Sequence, residues 1–114
     1  MKRILLVLLL VAVFMTGCGK PKFMSQKMYD LGKKALEVCN QYIDDDISLE
    51  TGYDRMLEIS MDADDALFDL DGDDLVRYFD KDSAVRDAIT QLRKDFDTGD
   101  DIKKDAKVLE KALK

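Results

Sequence analysis

A single proline, Pro21, stands in this chain of 114 residues. Past it, apolar side chains recur at spacings of three and four almost without interruption. Proline removes a backbone donor and clashes with the preceding helical turn, so its absence leaves long helices unbroken. A three-and-four spacing places apolar groups on one face of an α-helix. Met24, Met28, Leu31, Ala35, Val38 and Tyr42 form the first such stripe. Met56, Ile59, Ala63, Ala66 and Leu70 form a second. A third runs through Leu75, Tyr78, Asp82, Val85, Ile89, Leu92 and Phe96, with Asp82 discordant. Ile102, Ala106, Leu109 and Leu113 make a shorter fourth. No stretch keeps the period of two that a strand requires. The fold expected is all-α, an up-down antiparallel bundle of three long helices plus a shorter C-terminal helix. Asp82 reads as a break or kink, capping a fresh helix from Ser83, or else as a polar residue at a bundle end.

The joints share a chemistry. "DDDI" ends at Ile47, "GDDL" at Leu75 and "GDDI" at Ile102. Gly72 and Gly99 suit the left-handed residue that closes a helix. The aspartates after them suit the N-cap and the positive end of the next helix. Shared joint chemistry accounts for this regularity without an ancestral duplication.

The N-terminus carries an address. Lys2 and Arg3 precede the apolar run Ile4 to Met15, and the small residues Thr16 and Gly17 lead into Cys18. A charged start, an apolar run and a small-residue cut site make a secretory signal. The run is shorter than the roughly 17–25 residues a membrane-spanning helix needs. "MTGC", residues 15–18, resembles the bacterial lipobox, with Met15 standing where leucine is commonest. The resemblance implies a chain cut before Cys18, acylated there, and held at a membrane outside the cytoplasm. The expected organisation is a signal peptide over 1–17, a short lipidated tether over 18–24 and a helical domain over 25–114. With Cys18 on lipid, Cys39 is the only thiol left. In the apolar setting "ALEVCNQY" it reads as a small buried hydrophobe.

Charge narrows the partners. Losing Lys2 and Arg3 with the signal takes the net charge from −6 to −8. Nucleic acid needs a basic footprint, which this chain lacks. The chain has no histidine, which removes Ser-His and Cys-His nucleophile pairs and His-based zinc sites. "LFDLDGDDL" suggests a calcium loop, but with Gly72 at loop position six, Leu67 and Tyr78 fall where ligands are required. No catalytic, metal or cofactor site is expected.

One charge pattern stands out. Glu50, Asp54, Glu58, Asp62, Asp65 and Asp69 put six carboxylates on one flank of the second helix. Like charges at this spacing cost a helix about 0.2–0.5 kcal/mol per pair. Lys103, Lys107, Lys111 and Lys114 form a basic stripe on the fourth helix. Three readings follow: the two stripes face each other across the bundle, the acidic flank is simply solvated, or it docks a basic partner. Met24, Met28, Met56 and Met61 read as core fillers rather than an adaptable binding patch.

The segment "KKALEVCNQYIDDDISLETGYDRMLEI" resembles one found in small uncharacterised helical lipoproteins of Gram-positive bacteria, at Tyr42, Ile47, Ser48, Tyr53 and Leu57. It implies fold and compartment only. The function expected is a membrane-anchored extracytoplasmic lipoprotein acting as a protein-binding accessory module of the cell envelope, with an envelope protein as partner. The alternatives are an acidic-face binder of cations or basic peptides and, remotely, a carboxylate-dependent hydrolase.

Overall fold

The structure, a computed structural model, describes residues 20–114. Among the described residues it is all-helical, with four helices and no strand. They are α1 (Gln26–Ile43), α2 (Leu49–Phe68), α3 (Gly72–Thr98) and α4 (Ile102–Ala112). The apolar stripes explain the elements. Met28, Leu31, Ala35 and Val38 of α1 are buried with Met56, Ile59, Ala63 and Ala66 of α2. Val85, Ile89, Leu92 and Phe96 of α3 and Ile102, Ala106 and Leu109 of α4 complete the core. The ring of Phe96 meets Tyr42 edge to face at 5.3 Å between centroids, an arrangement that adds about 0.5–1.5 kcal/mol to burial alone.

Serines, not aspartates, cap the helices by side chain. Ser25 accepts from the Met28 N–H and Ser48 from the Thr51 N–H. Asp71 and Asp101 occupy the N-cap positions of α3 and α4 without a side-chain bond to the helix. Gly99, at φ 82°, closes α3 as expected. Gly72 does not close α2; it is left-handed at φ 53° and begins α3.

The expected break at Asp82 is absent, because α3 runs through it for 27 residues. Asp82 is fully buried and turned towards the start of α1. Its Oδ1 accepts the Ser25 backbone N–H at 3.0 Å, and its Oδ2 accepts the Ser25 hydroxyl. A carboxylate at the positive end of α1 is stabilised by the helix dipole as well as by these donors. The discordant residue is thus a clamp between sequence-distant segments. Two more core expectations change: Met61 is 58 % exposed and Leu75 40 % exposed, whereas Met24, Met28 and Met56 are fully buried.

Of the six possible helix pairings, five are made: α1 with α2, α3 and α4, and α3 with α2 and α4. Only α2 and α4 do not touch. They therefore take opposite corners of the bundle, with α1 and α3 in contact between them. The α2–α3 approach is close at Gly52, where an added Cβ would strike the ring of Phe96. Phe96 is buried and held by Tyr42, so it has little room to yield. Gly52→Ala is therefore expected to destabilise by about 1–3 kcal/mol through overpacking, although alanine is the better helix former by about 1 kcal/mol. Urea unfolding tests this, and a stabilised variant would show that the ring can move aside.

Candidate functional site

The acidic flank is built by α2. Glu50, Asp54, Glu58, Asp62 and Asp65 lie on the helix and Asp69 caps its end. All six are exposed, and none of their side chains makes an ion pair or side-chain hydrogen bond among the described residues. The pairing expected with Lys103, Lys107, Lys111 and Lys114 does not occur, because α2 and α4 sit at opposite corners. Those lysines are also exposed, and Lys114 lies 3.9 Å from Glu110 of its own turn. An ion pair off the stripe joins two helices, linking Arg86 of α3 to Asp64 of α2 at 3.4 Å.

Cations beside the stripe come from α1 and from Arg55 of α2 itself. Two open depressions run between α1 and α2, of about 290 and 380 Å³. Lys34 of α1 lines both, and Lys27 the second, facing Glu58, Asp62 and Asp65 of α2. Arg55 donates across the same seam to Gln41 Oε1 at 2.9 Å. This geometry lowers the repulsion along α2 without closing it off, and leaves carboxylates facing solvent. No group of carboxylates and thiols among the described residues is arranged to hold a metal ion.

Sequence reasoning missed a second acidic feature. Asp95 of α3 is buried against the core beside Phe96, and Gln91 Nε2 donates to its Oδ1 at 3.1 Å. Its Oδ2 meets no donor. Burial, and then the neighbouring carboxyl of Asp105, push the Asp95 pKa up from 3.8 to about 6. Two carboxyl groups in contact are both acceptors, so they bond only when one carries a proton. Neither residue lines the depressions on the α1–α2 side. A signal existed: Asp95 falls three residues after Leu92 and next to Phe96, at the edge of the apolar stripe.

Cys39 is fully buried, as its apolar setting suggested. Burial and then the charge of Asp95 push its thiol up to about 12, so it is not a reactive nucleophile. Cys18 and the signal expected over 1–17 lie outside the described residues. No helix among the described residues is long and apolar enough to cross a membrane. No protein-family model, curated protein or solved structure matches this chain.

Proposed function

We propose that this chain is a membrane-anchored extracytoplasmic lipoprotein whose up-down antiparallel bundle serves as a protein-binding accessory module of the cell envelope. The observation that carries the reading is "MTGC" directly after the apolar run, with Cys18 only seven residues before Ser25. Ser25 is fastened to Asp82, so the tether has little slack and the bundle stays close to the lipid. The partner is an envelope protein rather than nucleic acid, in keeping with an acidic surface.

Cys18→Ala is the direct test. In cells expressing the full chain, the variant is expected to lose acylation and leave the membrane fraction. A variant that stays membrane-bound, with a wild type that keeps its signal, would overturn the anchor. Cross-linking in intact cells then identifies what the tethered bundle touches.

The acidic flank supports a second reading, as a binder of basic peptides or cations. Its six carboxylates are exposed and unpaired. Reversing Glu58, Asp62 and Asp65 to lysine is expected to abolish capture of a basic partner while leaving membrane attachment intact. Unchanged capture would reduce the flank to a solvated face.

A further inference from the structure

The first turns of α3 project from the bundle. Every residue from Gly72 to Lys81 is exposed except Tyr78, which is half-buried, and close packing begins at Asp82. Leu75, Val76 and Phe79 on this length are 40, 88 and 46 % exposed. Residues three and four apart share a helix face, so Phe79 groups with both others. Phe68, at the end of α2, is 91 % exposed, and Phe23 of the tether 60 %. Five of the seven exposed large apolar residues among the described residues therefore belong to this hairpin end and the tether beside it. A scattered exposed apolar residue needs no explanation, but such a concentration marks a contact surface.

The chain itself indicates what covers it. Lys20 Nζ lies 5.8 Å from the ring centroid of Tyr78, and Ser25 is bonded to Asp82. The tether thus runs beside the projecting turns. Cys18 is two residues before Lys20, and two extended residues reach at most about 7 Å. A helix with its side chains is about 10–12 Å across. A lipid on Cys18 therefore brings the bilayer interface to the side of the bundle that carries the exposed tip, within about two helix diameters of it.

We propose that Phe68, Leu75, Val76 and Phe79, with Phe23, form a second membrane contact that seats in the lipid interface beside acylated Cys18. The proposal rests on the anchor reading for the position of the bilayer. Local charge is nearly balanced: Lys20, Lys22, Arg77 and Lys81 stand against Asp69, Asp71, Asp73, Asp74 and Asp80. The contact is accordingly apolar and aromatic, indifferent to anionic lipid and to salt. Its effect is orientation. One point of attachment lets the bundle swivel, whereas two set which corner faces outward.

The chain has no tryptophan, so one introduced residue reports alone. Val76→Trp and, as control, Val108→Trp on α4 are each made in the full chain, purified from membranes and placed in phosphatidylcholine vesicles. Both positions are exposed, and circular dichroism checks that each variant folds. The expected result is blue-shifted Val76→Trp emission, quenched several-fold more than Val108→Trp by acyl-brominated lipid and unchanged by salt. Unquenched Val76→Trp in vesicle-bound, acylated protein would overturn the seat and leave the anchor standing. Intact mass reads acylation separately. Protein without acyl chains overturns the anchor, and quenching on added vesicles then upholds or overturns the seat by itself. A blue shift that grows with protein concentration in the absence of vesicles would give the tip to a second copy and overturn the proposal.

Discussion

Asp82→Ala is expected to destabilise the protein by about 2–4 kcal/mol at neutral pH, measured by urea unfolding. The carboxylate receives two hydrogen bonds from Ser25, and it is fully buried. Removing it leaves the Ser25 N–H and hydroxyl without their acceptor, at about 1–3 kcal/mol for each group left unsatisfied away from water. It also opens a small cavity and removes a negative charge from the positive end of α1. The charge itself carries a desolvation cost that its loss relieves, which keeps the expectation below the sum of these terms. Ser25→Ala should cost less on its own and far less in the Asp82→Ala background, because the two residues act as one unit. A loss within about 0.5 kcal/mol, typical of ordinary surface positions, would show that the clamp contributes nothing net.

Asp95→Asn should move stability the other way. Asp95 titrates near pH 6 when folded and near 3.8 otherwise, owing to burial and then to Asp105. Between those values the folded protein holds a proton that the unfolded chain has released. Stability from this group is therefore fully present below the unfolded pKa, declines as pH rises through the window, and stays lost above it. A difference of about two units corresponds to about 3 kcal/mol at most. Asparagine keeps an acceptor for Gln91 and offers Asp105 a donor without titrating. The variant is expected to be about 1–3 kcal/mol more stable than wild type at pH 7, with the advantage shrinking towards pH 4. Thermal unfolding of both proteins across that range reads the difference directly. An advantage that does not depend on pH would assign the effect to packing.

Periodicity made the helices legible, since each apolar stripe needs only its own spacing to name its face. Leu31, Ala35, Val38, Ile89, Leu92 and Phe96 are buried where the pattern put them. Spacing carries no information about which helix lies opposite. The acidic stripe is visible on α2, but its pairing with α4 is not what forms, because which helix lies beside α2, and so brings Lys27 and Lys34 to the stripe, is a property of the assembled bundle. Asp82 shows a different failure. Its discordance in an apolar stripe shows in the sequence, but the local readings, a cap for a helix from Ser83 or a polar bundle end, cannot supply its partner, which is Ser25. Leu75 looked like core because the pattern continues past the point where α3 leaves its neighbours. Asp95 was passed over because one carboxylate beside Phe96 resembles any boundary residue until Asp105 is placed against it.

The separation of α2 from α4 gives the molecule an electrical polarity. Six carboxylates and one guanidinium lie on α2, while four lysines and two carboxylates lie on α4. With α1 and α3 between them, these unlike charges form a dipole across the bundle rather than cancelling in contact. Its reach is set by the Debye length, about 8 Å at physiological ionic strength. Distant molecules do not sense it, but a neighbour within that distance does. Copies crowded on one surface would favour turning the acidic corner of one towards the basic corner of the next.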